Sequence, residues 1–477
     1  MVFSSLEFLF LFIPVTLILY FLVPPKFLKW RNLVLLVTSL IFYGWGEPVY
    51  VFLMMFTIMV DYVCGFYVDK FRDNDRKKAK LVLILSIVIN LGLLGFFKYY
   101  DFFVSNLRVI PGLGNLPLLN IDLPIGISFY TFQALSYVFD VYRRDAKVQT
   151  NVVTFGSYVT LFPQLIAGPI VRYQDVDGML RERKETIALA ASGVRTFLAG
   201  LGKKILLANM AGELWKTFSS VPAGQRTVAG AWLGIICFTF HIYFDFSGYS
   251  DMAIGLGKIL GFKFLENFNY PYIAKSITEF WRRWHMSLST WFREYVYFPL
   301  GGSRCSPLMN YRNILIVWFL TGFWHGASWN FIVWGLYYCG LLIIEKAFLL
   351  PRLEKIPAFF RHLYTLFFVG IGWLLFVAEP KYLGGLGDGM VYLGNMFGMG
   401  TSAGMSQGDI YDLTRNFIFF AIMAVAVTPL PKKLFYKLYE KSNIVRYAAY
   451  AGGVAILILG VAYLVDSSYN PFLYFRF

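Results

Sequence analysis

The sequence predicts an all-α polytopic membrane protein, and three of its features carry that reading. Of its 477 residues 58% are hydrophobic and only 15% are charged, against about 25% charged in a soluble globular chain. Mean hydropathy is +0.58. Apolar stretches of membrane length recur along almost the whole chain, so the excess is not one anchor on a water-facing domain. A soluble enzyme, a fibrous protein and a disordered chain are all excluded.

In order, the apolar segments are 8–23, 33–44, 49–67, 81–97, 124–139, 152–168, 187–201, 228–247, 314–344, 363–378, 416–428 and 447–465. The stretch before the first, Met1 to Glu7, has an acid and no basic residue, and Pro24-Pro25 follow where small cleavage residues would stand. The segment therefore reads as a membrane helix and not as a removed signal peptide. Some segments are shorter than the ~20 residues that span a bilayer, and others contain Pro, Gly, Gln or Asp. The expectation is about ten to twelve passes plus broken or re-entrant helices shielded by protein, arranged around a polar centre. No long repeat or low-complexity linker interrupts the chain, which reads as one membrane domain over 1–477.

Lys and Arg number 43 against 28 acids, a formal charge of +15. In a membrane protein that balance points to cytoplasmic loops and not to nucleic acid. Lys26 to Arg31, Lys70 to Lys80, Arg143-Arg144, Arg181 to Lys184, Lys346 to Arg361 and Lys432 to Arg446 are the basic clusters. Even numbers of apolar segments separate them in pairs, so all can lie on the cytoplasmic face. Both chain ends and the Gly-rich stretch 384–408 then face outward, the latter as a partner-facing loop. Cys64, Cys237, Cys305 and Cys339 are far apart with no metal-ligand spacing, so neither disulfides nor a metal is expected.

Only four histidines exist, and histidine is the side chain best suited to proton transfer at neutral pH. His362, beside Arg361, reads as a solvated loop residue. His325 sits inside the apolar run NILIVWFLTGFWHGASWNFIVWGLYYCGLLII (313–344), where an ionisable group is costly and faces a cavity or the bundle interior. Gly322, Gly326, Ala327 and Ser328 let another backbone or a substrate approach it. His285 lies in EFWRRWHMSLSTWFREYVYFPLGGSR (279–304), where arginines alternate with Trp281, Trp284, Trp291 and Tyr295. Such an aromatic-basic helix suits the membrane interface. Alternatively it lines a cytoplasmic tunnel mouth, where Arg282 and Arg283 attract the phosphates of an acyl carrier. His241 and Asp245 are four apart on one helix face in HIYFDFSGYSDMAIGLG (241–257), with Tyr243 between them. Two ligands are too few for a metal, so a hydrogen-bonded scaffold is the ordinary reading, and Asp245 the residue of functional interest. No phosphate-binding loop, serine-hydrolase elbow or voltage-sensor pattern is present.

ENFNYPYIAKSITEFWRRWHMSLSTWFREYVYFPLGG (266–302) followed by TGFWHGASWNFIVWG (321–335) resembles the membrane-bound O-acyltransferase family. The stretches at 124–144, 161–173 and 241–255, the opening FSSLEFLFLFIPV and the closing YNPFLYFRF extend the likeness over essentially the whole chain. Within the family it is similar to the bacterial branch of alginate O-acetyltransferase membrane components. The resemblance implies a funnel-shaped multi-pass enzyme of the bacterial cell membrane, with His325 at the active site and His285 as the second family histidine. It implies acyl transfer from a cytoplasmic thioester, acetyl-CoA or a carrier-protein thioester, towards an exported polysaccharide. No bound cofactor is implied. Partners would be an extracytoplasmic esterase-like acetyltransferase, polysaccharide synthesis and export proteins, and membrane lipids. Asp245 or Tyr243 would fix a histidine tautomer. Two other functions remain open on the sequence: D-alanyl transfer to teichoic acid, and transport of a lipid-linked sugar.

Overall fold

The computed structural model describes residues 1–466 and 472–473, and among them every regular element is a helix. Of the closing YNPFLYFRF, only Phe472 and Leu473 fall within the described residues. The chain divides into two compact units. One comprises Met1–Gly200 and Tyr249–Glu266 with Phe472 and Leu473, the other Leu201–Gly248 and, among the described residues, 267–466.

Six described helices are long and apolar enough to cross a membrane: Tyr50–Phe71, Arg76–Leu107, Val228–Ile259, Trp329–Leu353, Ala358–Val377 and Asn443–Asp466. Counting two bent pairs as spans raises this to eight: Phe8–Leu22 with Pro25–Gly44, bent by 104°, and Phe417–Ala426 with Leu430–Lys441, bent by 71°. The polytopic all-α class stands, with fewer qualifying spans than the ten to twelve expected. Segment 124–139 shows why. It folds as Ile127–Arg143, 17 residues buried on nearly every side, which is an interior helix and not a lipid-facing one. Segment 152–168 breaks at Leu161 into Val152–Thr160 and Phe162–Leu165, because Pro163, in the first turn of the second helix, has no N–H to continue the first and its ring crowds the preceding turn.

In the first unit, several buried polar and charged groups on or beside the membrane helices are paired. Asp61 accepts hydrogen bonds from Ser86 (2.6 Å) and from Asn90 (2.9 Å), joining Tyr50–Phe71 to Arg76–Leu107. Arg31 meets Glu185 at 2.8 Å, and Arg183 donates to Tyr20 Oη and Asn32 Oδ1. This basic cluster is thereby fastened to the first helices. In the second unit the Gly-rich stretch 384–408 is more ordered than a free loop. It forms Leu386–Met396, whose Tyr392 hydroxyl donates to the Ala231 carbonyl, while Arg226 donates to Asn395 Oδ1 and lies 4.2 Å from the Tyr392 ring. Backbone bonds from Val228 and Ala229 to Ala403 and Gly404 complete the tie.

Candidate functional site

All the candidate site side chains belong to the second unit. His285 stands where the sequence reads as one helix. The structure instead gives Ile277–Trp281, a turn, and Met286–Phe292, with His285 in the left-handed region at φ 43°. No Gly or Pro marks this break; tertiary bonds impose it. The Asn267 carbonyl accepts from Met286 N (2.9 Å), and Asn269 N donates to the Arg283 carbonyl (2.9 Å). The strap 267–269 thus holds both sides of the turn. A strained backbone at a non-glycine residue is kept only where its surroundings over-determine it, and functional sites are where such strain collects. At its N-terminus, Ile277–Trp281 is held by the fully buried Glu345, whose carboxylate accepts from Ile277 N (2.7 Å), Thr278 N (2.8 Å) and the Tyr364 hydroxyl (3.1 Å).

The ring of His285 is 2% exposed. Its Nδ1 is 3.1 Å from Asn267 Oδ1, which also accepts from Ser287 N (3.2 Å) and Ser287 Oγ (2.9 Å). Phe246 packs edge-on against it at 4.7 Å and Trp324 lies at 6.2 Å. His285 lies outside the candidate spans. Burial holds its imidazole below the ordinary value of 6.5, so the ring is neutral.

His325 ends the helix Pro307–His325, because Gly326 continues in extended backbone. A Cβ at Gly326 would lie 2.2 Å from the Phe331 ring, so only glycine turns the chain here. The return helix Trp329–Ile344 crosses closely through Gly322 and Gly335, whose Cβ positions would meet the Phe331 and Trp318 carbonyls at 2.4 and 2.5 Å. His325, 3% exposed, is ringed by Trp324, Phe331, Trp334 and Phe376, with ring centroids 5.0 to 6.4 Å away. Trp324 touches both histidines, so residues 40 apart in sequence flank one indole.

The remaining candidates separate. Arg282 is exposed, whereas Arg283 is committed to Glu279 (2.9 Å) and to the Asn269 carbonyl (3.1 Å). Asp245 is fully buried and pairs with buried Lys204 at 2.6 Å. Tyr243 packs on Phe268, Tyr272 and Trp284. At His285 the residue that meets Nδ1 is Asn267, whereas the Asp245 carboxylate is turned to Lys204. Trp284 and Trp291, read as interfacial, are 1% and 5% exposed and belong to the protein interior. His362 Nδ1 lies 3.0 Å from the Ala274 carbonyl, a structural bond.

The profile of the membrane-bound O-acyltransferase family matches residues 141–386, just over half of the chain. A protein named "Probable alginate O-acetylase AlgI" from Azotobacter vinelandii is 38% identical over all of both chains. The "Peptidoglycan O-acetyltransferase" of Helicobacter pylori is 32% identical, covering all of this chain and 98% of its own. The "Teichoic acid D-alanyltransferase" of Bacillus subtilis is 31% identical over 47% of this chain and 59% of its own.

Proposed function

The chain belongs to the membrane-bound O-acyltransferase family and is a multi-pass O-acyltransferase, and from that premise we propose that it O-acetylates a cell-surface or exported polysaccharide. Two relatives that are similar over full length carry O-acetylating names, while the D-alanyl-transferring relative matches about half of the chain. Acetyl-CoA is the proposed donor, entering from the cytoplasmic side of the bacterial cell membrane, and an extracytoplasmic acetyltransferase is the proposed partner. The whole chain acts as one membrane domain in this reading.

One observation carries the chemistry: His285 and His325 are both buried against Trp324. Moving an acyl group from a thioester to a hydroxyl requires a base for the hydroxyl proton and a group that steadies the donor. The two imidazoles are the proposed pair. Their aromatic surroundings exclude water, which would otherwise hydrolyse the thioester. Arg282, exposed and three residues before His285, is the proposed contact for donor phosphate. The test is purified full-length protein in lipid nanodiscs with radiolabelled acetyl-CoA and a polysaccharide acceptor. Saturable donor binding with acetyl transfer that fails in His325→Ala supports the reading. No binding of either acetyl-CoA or a loaded carrier protein would return the chain to the transporter class.

A further inference from the structure

The hydrogen bonds around Asn267 decide which nitrogen of His285 bears the proton. A backbone N–H can only donate, and that of Ser287 points at the Asn267 side chain at 3.2 Å. The amide must therefore turn its oxygen towards Ser287. The same oxygen lies 3.1 Å from His285 Nδ1. Two acceptors cannot bond each other, so Nδ1 carries hydrogen. Nε2 is then the unprotonated nitrogen, and among the described residues it is buried without a hydrogen-bond partner. The ring is surrounded by Asn267, Ser287, Phe246 and Trp324, none of them charged. Among the described residues, no charged group in contact with the ring competes with Asn267 in setting the tautomer.

We propose that Asn267 is a positioning residue that keeps the His285 proton on Nδ1, so that Nε2 presents the lone pair which takes the acceptor's hydroxyl proton. His285 is then the base in this step. The step balances. The hydroxyl oxygen attacks the thioester carbonyl carbon as its proton passes to Nε2. The carbon–sulfur bond breaks, and that proton leaves Nε2 for the departing thiolate, giving an ester and a free thiol. Imidazolium forms only in passing and is steadied through Nδ1–H by the Asn267 oxygen. The left-handed backbone at His285 fits this picture, because the strap that forces it also delivers Asn267.

The assignment of the base rests on the acyl-transfer reading; the tautomer does not. Two measurements on the full-length protein keep them apart. The first is the ¹⁵N chemical shift of the His285 ring, assigned by difference from His285→Gln, which distinguishes a lone-pair nitrogen from an N–H without substrate. Nε2 should show as the lone-pair nitrogen in the wild type, and the pattern should mix or reverse in Asn267→Leu. The second is kcat for acetyl transfer against pH. Asn267→Leu should lower it by about 10²–10⁴-fold, the range for a lost or mis-set base. Asn267→Asp keeps the acceptor oxygen and adds a charge that raises the imidazole pKa. It should retain most of the rate and move the acid limb of the profile to higher pH. Because Asn267→Leu could lose the fold, Asn267→Asp is the deciding variant for the rate: a carboxylate at this distance moves the limb if His285 is the base, so a limb left in place removes His285 from that role, while the ¹⁵N pattern decides the tautomer. An Nδ1 lone pair in the wild type, or an unmoved limb with a correctly folded Asn267→Asp, overturns the proposal. If the wild type transfers no acetyl group, the functional reading fails, and the ¹⁵N pattern still passes or rejects the positioning role.

Discussion

His285 and His241 are buried to 2% and 1% exposure in the same unit, yet Nδ1 of one is held by Asn267 while neither ring nitrogen of the other is bonded among the described residues. His241 is packed against the backbone of Gly212, where a Cβ would come within 2.8 Å of the ring. Its helical neighbour Asp245 turns instead to Lys204 at 2.6 Å. The difference shows that an imidazole and a carboxylate on one helix face do not make a dyad. A buried carboxylate in a membrane protein goes to the strongest cation within reach, because that pairing removes two desolvated charges at once. His285 works with a neutral amide, which orients the ring without charging it.

The largest expected effects fall on the first of these regions. His325→Ala and His285→Gln should each reduce acetyl transfer by about 10²–10⁴-fold, with expression and detergent-solubilised stability near wild type. His241→Gln should leave kcat within about threefold, since among the described residues no hydrogen bond depends on its ring nitrogens and the change is close to volume-conserving. The comparison breaks if His241→Gln is as inactive as His285→Gln at matched protein level. Acidification sharpens it. An imidazole that burial keeps below 6.5 stays neutral there, so transfer should persist below pH 6.5 and fail only lower. The unfolded chain takes up a proton near 6.5 that folded His285 refuses, so stability contributed by this ring is lost as pH falls below about 6.5.

The second region should respond in stability rather than in rate. Asp245→Asn leaves the Lys204 charge buried without its carboxylate, an arrangement that costs about 3–5 kcal/mol when one partner of a buried pair is removed. Thermal unfolding in detergent should shift down accordingly. The double change Lys204→Met with Asp245→Leu should recover much of the loss, because a pair replaced by apolar groups of similar volume is often neutral. A destabilised double variant, no better than Asp245→Asn, would mean that the pair serves more than its own neutralisation.

Legibility followed the range of the forces involved. The membrane class is legible in composition, and a close approach at His325 in its neighbours Gly322 and Gly326; that 314–344 is two packed helices and not one segment, with Gly335 at the crossing, is seen only in the structure. The break at His285 was invisible. FWRRWHMSLSTW holds no helix breaker, and the bonds that open it come from Asn267, eighteen residues earlier. Asn267 stands inside the ENFNYPY stretch that helped mark the family, but an asparagine has no signature of its own and only its bond to a histidine reveals its role. Lys204 carries no motif of its own, and only its 2.6 Å pairing with Asp245 reveals its role. Orientation still follows from loop charge alone. Cysteines at Asn74 and Ser406, in a background without the native four, should label from opposite faces with an impermeant reagent, and equal labelling from outside would overturn it.

The smallest expected effect lies at two neighbouring arginines that the sequence treats alike. Arg282 is exposed, while Arg283 is bonded to Glu279 and to the Asn269 carbonyl. The Asn269–Arg283 bonds belong to the strap that positions His285, so Arg283→Gln should act on folding and kcat and leave donor affinity nearly unchanged. Arg282→Gln should do the reverse. A charge-assisted contact to phosphate is worth about 1.5–3 kcal/mol. Exposure and salt bring the net effect to the lower end, near a tenfold rise in apparent donor Kd. Titrating labelled acetyl-CoA onto each variant at two salt concentrations separates the cases, since a true phosphate contact weakens as salt rises. Equal loss of affinity in both variants would place Arg283 at the donor despite Glu279. An unchanged Kd in Arg282→Gln would leave that residue as an interfacial cation whose partner is lipid phosphate.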